Sequence, residues 1–98
     1  GTNILTDAAI PMAAAALGTE IAVETVDGPL KLKIPAGTQS GKVFKLSGRG
    51  VPSVSGRSRG DHLVTVTVET PTKLSAKQRE LLEQFAHESG GKKGFFGL

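Results

Sequence analysis

Alternation of apolar and polar residues with a period of two is the feature that most constrains this chain. In the segment DHLVTVTVE, Val64, Val66 and Val68 fall on one face of an extended chain, and Thr65 and Thr67 fall on the other. Successive side chains of a β-strand point to opposite faces, so this pattern predicts a strand with one buried face. Similar patterns predict four further strands, at residues 4–10, 21–25, 30–34 and 43–46.

Turn-forming residues separate the predicted strands. Pro11 ends the first strand, and the alanine-rich MAAAAL that follows predicts a short helix ended by Gly18. Asp27-Gly28 is the pair expected at a tight hairpin turn between the second and third strands. The predicted fold class is mostly β: a small antiparallel β-sandwich with one short helix near the N-terminus and a C-terminal helix.

The C-terminal segment LSAKQRELLEQFAHESGG changes to a period of about 3.6, which predicts a helix. Ser75 is a good N-cap, and Gln78 is placed to complete a capping box. Gly90-Gly91 is expected to end the helix. The apolar stripe of this helix consists of Leu81, Leu82, Phe85 and Ala86.

Composition limits the classes of protein to which the chain could belong. Its 98 residues suffice for one domain, and the absence of cysteine excludes disulfides and thiolate metal sites. A reducing compartment is therefore permitted without being proved, and a cytoplasmic location is expected. No apolar run approaches the length of a membrane span, and the first residues lack the pattern of a signal peptide. Because no initiator methionine is present, we expect an excised fragment.

The glycine-rich segment PAGTQSGKVFKLSGRGVP, residues 35–52, superficially resembles a phosphate-binding loop. A phosphate loop requires four residues between its glycines and Ser or Thr after its lysine. Gly37 and Gly41 enclose three residues, and Val43 follows Lys42. The segment GRGVPS likewise departs from the dinucleotide-binding motif, because Pro52 would break the helix that must follow. Turn geometry between two strands explains these glycines better than nucleotide binding does.

Catalytic and adhesive signals in the sequence are weak. The only histidines, His62 and His87, lie far apart in sequence, and the Ser and Asp residues mostly occupy turn positions. No acid–base or nucleophile set is therefore predicted, so we expect no catalytic residue, no metal and no cofactor. The tripeptide at residues 59–61, RGD, occurs in adhesion proteins, but here it begins a strand.

A series of elements in fixed order resembles the second C-terminal β domain of DnaJ-type co-chaperones. The segments AALGTEIAVETVDGPLKLKIPAGTQSGKVFKLSGRGVP and RGDHLVTVTVETPTKLSAKQRELLEQF carry the resemblance. It extends from Ile10 to about Phe85, nearly the whole chain. The elements that match are Leu17-Gly18, Asp27-Gly28, Ile34-Pro35, Gly37-Thr38-Gln39, Gly41, Gly48-x-Gly50, Gly60-Asp61 and the closing helix.

The resemblance implies a non-enzymatic part of a protein that delivers unfolded clients to a DnaK-type ATP-driven chaperone. That partnership resides in a J-domain with a His-Pro-Asp tripeptide, which does not occur in this sequence. The cysteine-rich zinc module of one subclass is also absent. We therefore expect residues 1–73 to form a client-binding and scaffold domain, and residues 74–98 to form a dimerisation element.

A client site is expected on the sheet, because an accessible edge can accept an extended peptide by β-augmentation. The apolar strand residues assigned to this site are Ile21, Val23, Leu32, Ile34 and Phe44. The alternative for these residues is that they are plain core. A second functional alternative is a small basic β domain that binds single-stranded nucleic acid, given the net charge of +3. Such binders add aromatic stacking platforms, and Phe44 is the only aromatic residue within the predicted strands.

Dimerisation is expected through the C-terminal segment. Phe95 and Phe96 lie beyond Gly90-Gly91, where the domain core is already closed. Burying one such side chain is worth ~1.5–3 kcal/mol, and a partner subunit in a two-fold homodimer would supply the cover. The residues assigned to the interface are Leu81, Leu82, Phe85, Phe95 and Phe96. The alternatives are a frayed terminus or a boundary that cuts the dimer element short.

Overall fold

A computed structural model of the chain describes residues 2–52 and 59–89. Five strands and two helices follow one another along these residues. In chain order they are β1 (Ile4–Pro11), α1 (Met12–Leu17), β2 (Thr19–Thr25), β3 (Gly28–Ile34), β4 (Lys42–Leu46), β5 (His62–Glu69) and α2 (Ala76–Ser89). The mostly β fold class, the short helix after β1 and the C-terminal helix are all confirmed.

The strands form a three-stranded sheet of order β1-β5-β4 and a two-stranded sheet of order β2-β3. The β2–β3 and β4–β5 pairs are antiparallel. One pair departs from the predicted antiparallel arrangement: β1 and β5 pair in parallel, from Ile4 opposite His62 to Pro11 opposite Glu69. A parallel pair needs a long crossover connection, and here α1 and strands β2 to β4 provide it.

The core lies between the two sheets. Ile10, Ala15, Ile34 and Val66 form its central cluster. The alternation predicted for β5 is confirmed, since Val64 and Val66 are buried and Val68 is half-buried on the inner face. Four partly buried side chains pack against the cluster, namely Ile21, Leu32, Phe44 and Val68.

The β2–β3 hairpin turns one residue earlier than predicted. Thr25 pairs with Gly28, so Val26 and Asp27 occupy the turn and Gly28 begins β3. Gly28 has φ 104°, and no described residue other than glycine has positive φ. The glycine therefore supplies the left-handed geometry just after the turn, where a side chain would be strained.

A close approach of two backbone segments explains the glycine of RGD. An added β-carbon on Gly60 would lie 2.3 Å from the carbonyl carbon and oxygen of Thr2. Around this contact Thr2 and Val51 form an antiparallel bridge, and the Gly50 amide donates to the Gly60 carbonyl at 2.9 Å. Gly60 is therefore required by packing, and the tripeptide has a structural explanation.

The helix α2 begins at the predicted capping box. The Ser75 hydroxyl accepts from the Gln78 amide at 3.0 Å, and the Gln78 side-chain oxygen accepts from the Ser75 amide at 2.9 Å. No residue of α2 is buried. Leu82 and Ala86 are half-buried, whereas the Leu81 and Phe85 side chains of the same stripe are exposed.

No helix among the described residues is long and apolar enough to cross a membrane. The predicted helix end at Gly90-Gly91 lies outside the described residues, as do Phe95 and Phe96.

Candidate functional site

The β2–β3 hairpin carries most of the side chains assigned to client binding, and its inner face points at the core. Ile34 is 1% exposed and belongs to the central cluster, and Val23 is also buried. Ile21 and Leu32 pair across the hairpin and are half-buried against that cluster. These hairpin side chains therefore pack on the core of the domain. Their contact with a client stays a prediction.

Phe44 lies on the other sheet. It pairs with Val64 in the β4–β5 ladder and packs half-buried against the central cluster. The structure thus brings four of the five assigned residues into or against one core cluster, three from the hairpin and Phe44 from β4, and it buries Val23 on the inner face of the hairpin. It does not gather them into one exposed surface.

The backbone edges of the hairpin are its accessible feature. The two-stranded sheet contains only β2 and β3, so within the described residues each strand pairs along one side only. Unpaired N–H and C=O groups on such an edge are a template for another strand. Behind that edge, Ile21 and Leu32 of the inner face pack half-buried against the core.

The outer face of the hairpin is charged. Glu20 and Glu24 lie on β2, and Lys31 and Lys33 lie on β3. The Lys31 ammonium approaches the Glu20 carboxylate at 4.0 Å, with both side chains largely exposed. An exposed pair of this kind contributes little stability, but it keeps the face wet and discourages stacking of copies.

A charged cluster fixes the turn of the hairpin to the loops that flank β4 and β5. The Arg59 guanidinium donates to both carboxylate oxygens of Asp27, at 3.0 and 3.4 Å, and to the Gly50 carbonyl at 3.1 Å. Arg49 donates to the same carboxylate at 3.3 Å. The hydrogen bond from Arg59, reinforced by Arg49, holds the pKa of Asp27 below its usual range. This cluster is the polar attachment of the hairpin turn.

Four basic side chains of the strands and loops lie beside carboxylates. Lys31 faces Glu20, Arg49 and Arg59 bind Asp27, and Lys45 approaches Asp61 at 4.0 Å. Phosphate contacts need cations that are free to replace counterions. The paired arrangement gives no support to the nucleic-acid alternative. Arg57 is a further basic residue between β4 and β5, and it lies outside the described residues.

A second candidate region is an apolar groove beside α2. The groove has a volume of about 780 Å³, and the residues around it come from the end of β1, the start of α1, the segment after β5 and the first turns of α2. Pro11 and Met12 lie on one side, and Leu81 and Leu82 lie on the other. Along the helix from this groove, Phe85 is 67% exposed.

The two histidines lie apart and in different environments. His62 is buried in β5, and His87 is exposed near the end of α2. No cluster of three or more His, Cys, Asp or Glu side chains suited to a metal ion occurs in residues 2–52 and 59–89.

The comparison with known proteins identifies the family. The profile of the DnaJ C terminal domain matches residues 1–71. The chain belongs to the DnaJ C-terminal domain family. This result confirms the resemblance found in the sequence.

Relatives of the DnaJ family match almost the whole chain. The chaperone protein DnaJ of Brevibacillus choshinensis is 54% identical over 97 residues, which are 99% of this chain and 26% of that protein. The chaperone protein DnaJ of Thermosynechococcus vestitus is 52% identical over 99 residues, 100% of this chain and 26% of that protein. The chain therefore spans about a quarter of the length of the curated relatives it matches.

Sequence reasoning missed the residues that connect distant parts of the DnaJ-family fold. The ion pair of Asp27 with Arg59 joins positions 32 apart, and no periodic pattern in the sequence predicts this contact. The groove was missed for a similar reason, because Pro11 and Met12 meet the first turns of α2 only in three dimensions. The only hint of the groove in the sequence was the pair Leu81-Leu82, because two adjacent leucines on a mostly polar helix indicate a nearby apolar surface.

Proposed function

We propose that this domain is a non-enzymatic co-chaperone module that binds unfolded client segments and helps to pair two copies of its parent protein. The observation that carries the client role is the β2–β3 hairpin, whose edges are unpaired within the described residues while its inner face is held by the core. The relatives that match the chain are named as chaperone proteins.

Client binding would occur by β-augmentation along a hairpin edge. The added strand gains main-chain hydrogen bonds that do not depend on its sequence, which suits a protein that meets many clients. A single shallow edge buries little area, so affinity is expected to be roughly micromolar or weaker. Ile21, Leu32 and Phe44 are the half-buried side chains near which a client would gain apolar contact.

N-methylated peptides provide the direct test of this mechanism. An extended, apolar client peptide would be prepared in two forms, methylated at odd or at even backbone amides. Because alternate amides of an added strand point towards the edge, one form should lose binding and the other should keep it. Chemical shifts of β2 and β3 would be followed in titrations with each form. Equal binding of both forms, or shifts that avoid β2 and β3, would exclude the hairpin edge.

Dimerisation would use the apolar groove and the exposed stripe of α2. Leu81 is 49% and Phe85 is 67% exposed, and both continue the apolar surface that starts at Pro11 and Met12. A two-fold pairing would place the stripe of one copy against the same region of another. The assigned residues Leu82, Phe95 and Phe96 would contribute in the same interface.

Sedimentation across a wide range of concentrations tests the dimer. The double variants Leu81→Ala/Phe85→Ala and Phe95→Ala/Phe96→Ala should each weaken self-association, because each removes apolar area from the interface. Arg79→Ala/Gln84→Ala, which changes exposed polar positions on the same helix, is the matched control. A chain that stays monomeric throughout, or that associates equally in all variants, would contradict the proposal.

The DnaK-type partnership belongs to the whole parent protein and to a J-domain outside this sequence. The chain alone is expected not to stimulate a DnaK-type ATPase, whereas a parent carrying a J-domain should do so. We also propose a cytoplasmic location for the parent protein, on the basis of its membership of the DnaJ family. Titration of the chain with single-stranded RNA at two salt concentrations tests the nucleic-acid alternative, which predicts binding that falls steeply with salt.

A further inference from the structure

The two open edges of the β2–β3 hairpin are not equivalent, and Pro29 of β3 shows which backbone groups each edge presents. Pro29 lies opposite Glu24 and has no amide hydrogen to donate to the ladder. A proline within a paired strand turns its nitrogen to the open edge. Alternate residues of a strand share this direction, so the N–H groups of Lys31 and Lys33 also point to the open edge of β3.

The residues of β2 opposite these three positions present their backbone groups to the other edge of the hairpin. Residues that face each other in a non-hydrogen-bonded pair of an antiparallel ladder both turn their N–H and C=O groups outward. Pro29, Lys31 and Lys33 lie opposite Glu24, Ala22 and Glu20, respectively. The open edge of β2 therefore carries three outward amides, and none of them donates to a backbone carbonyl elsewhere in the described residues.

The edge of β3 has features that discourage a further strand, and the edge of β2 lacks them. Proline and lysine are residues with which natural proteins protect an open edge. On β3, Pro29 offers no donor, and Lys31 and Lys33 are exposed. The centre of the β2 edge is Ala22, which is small and exposed. The β2 edge is therefore the better template for an added strand.

Acidic side chains flank the centre of the β2 edge. Glu20 and Glu24 lie on either side of Ala22 on the exposed outer face. Lys31 approaches Glu20 at 4.0 Å, and no ion pair of Glu24 occurs among the described residues. A strand added to β2 would lie about 4.8 Å from β2 and about 10 Å from β3. Because salt screens charges over about 8 Å, the glutamates act on such a strand more strongly than the lysines of β3 do.

Further cations lie at the turn of the hairpin, where Arg49 and Arg59 contact Asp27. Together with Lys31 and Lys33 they reduce the negative potential along the β2 edge. The attraction of the edge for a basic strand therefore acts at short range, between neighbouring side chains, and the resulting preference should be modest.

The inner-face neighbours of the same edge are apolar. Ile21 is half-buried and Val23 is buried on this face of β2. Leu17, just before β2, is exposed beside a groove of about 520 Å³ that Thr19 and Pro35 also line. A strand added to β2 would place every second side chain next to these residues.

We propose that a client strand is added to the β2 edge rather than to the β3 edge, and that this edge prefers extended segments in which apolar residues alternate with lysine or arginine. The apolar side chains continue the inner face beside Ile21 and Val23. The basic side chains lie beside Glu20 and Glu24 on the outer face. The inference rests on the proposed client role, to which it adds the edge and the class of segment.

Three extended peptides test the preference on the unmodified chain. They share valine at every second position and carry lysine, glutamine or glutamate at the positions between. At low salt the lysine peptide should bind about tenfold more tightly than the glutamate peptide, with the glutamine peptide between them. The difference should shrink as salt is added.

Hydrogen exchange in the saturated complex identifies the edge and does not depend on the folding of a variant. The amides of Glu20, Ala22 and Glu24 should exchange more slowly once a strand is added beside them. The amides of Lys31 and Lys33 should keep their rates, because they point to the other edge.

A matched pair of proline variants distinguishes the two edges in a second way. Ala22→Pro removes the central amide of the β2 edge, and Lys31→Pro removes the amide directly opposite on the β3 edge. Neither amide takes part in the β2–β3 ladder. Ala22→Pro should weaken binding of the lysine peptide at least about tenfold, whereas Lys31→Pro should leave it as tight as in the unmodified chain.

The charge preference has its own variant and control. Glu20→Gln/Glu24→Gln should abolish the difference in affinity between the lysine and glutamate peptides. Glu83→Gln/Glu88→Gln makes the same change in net charge at exposed positions of α2 and should preserve that difference.

Failure of this inference and failure of the client role give different results. If the peptides bind the hairpin equally well whatever their charge, or if Lys31 and Lys33 are the protected amides, the client role stands and the inference is overturned. If none of the peptides binds, or if the protected amides lie outside the hairpin, both are overturned.

Discussion

The β-sandwich and the helix α2 are held by different kinds of interaction. In the sandwich, Ile34 and Val66 are buried by residues far away in sequence. In α2, the best-defined interaction is the local capping box of Ser75 and Gln78, and no residue is buried. The sandwich therefore buries a core of its own, although Leu5 of β1 and Leu17 of α1 are 74% and 81% exposed on its outside. The helix α2 buries no residue, and Leu81 and Phe85 of its stripe stay exposed.

The largest expected effect contrasts Ile34 with Phe85. Ile34→Ala removes methyl and methylene groups from the centre of the core, so we expect it to lower the free energy of unfolding by about 2–5 kcal/mol. Phe85→Ala should change it by about 0.5 kcal/mol or less at concentrations where the chain is monomeric. Denaturation followed by circular dichroism measures both. Similar costs for the two variants would show that α2 is packed on the sandwich in solution.

The next effect tests how tightly the sandwich closes around Gly60. In Gly60→Ala the new β-carbon would meet the Thr2 backbone, so the two segments must separate, at a cost of about 1–3 kcal/mol. The Thr2 amide, which donates to the Val51 carbonyl at 3.2 Å, should exchange faster with solvent. Val51→Ala, a change on the same bridge without the close approach, is the control. Unchanged exchange at Thr2 in Gly60→Ala would argue against this contact.

A smaller effect concerns the helix alone. Ser75→Ala removes the N-cap hydroxyl and should cost α2 about 1 kcal/mol, seen as loss of helical signal in circular dichroism. The unfolding midpoint of the sandwich should hardly change if the two regions are as independent as the burial pattern indicates. Ser89→Ala is the control at the other end, where the hydroxyl donates to the Phe85 carbonyl at 2.7 Å. If Ser75→Ala lowered both the helical signal and the unfolding midpoint of the sandwich, the two regions would not be independent.

The smallest effect tests the attachment of the hairpin turn. Because Arg59 and Arg49 lower the pKa of Asp27, its carboxylate contributes stability above the unfolded value of about 4. That contribution disappears as the pH falls through the lower pKa of the folded state. Asp27→Asn should therefore be less stable than the unmodified chain near neutral pH and equally stable in strong acid. Asp7→Asn, at an exposed position, is the control, and denaturation profiles from neutral pH down to strong acid measure the difference.

Much of the fold was predictable because its signals are local. The alternation of Val64, Val66 and Val68 fixed the inner face of β5, and the spacing of Ser75 and Gln78 located the start of α2. The parallel pairing of β1 with β5 was not predictable from such patterns. The alternation of apolar and polar residues in a strand is the same whether its neighbour runs parallel or antiparallel to it.

The candidate site was less predictable than the fold. Apolar alternation identified Ile21 and Leu32 as inward-facing, but an unpaired edge is a property of the assembled sheets. The burial of His62 was equally hidden, since its surroundings are built from β1, β4 and β5 together. Sequence patterns report which side of an element is apolar, and tertiary structure decides what that side meets.

The parallel pair of β1 and β5 also has a consequence for synthesis of the chain. Ile4 of β1 cannot pair with β5 until His62, 58 positions later, has been synthesised and has left the ribosome. At roughly 5–20 residues per second the delay is about 3–12 s. The β2–β3 hairpin emerges within this interval and can close in microseconds. The first strand of a nascent chain therefore remains an unpaired apolar segment for seconds, and translation of β5 is the event that completes the sheet.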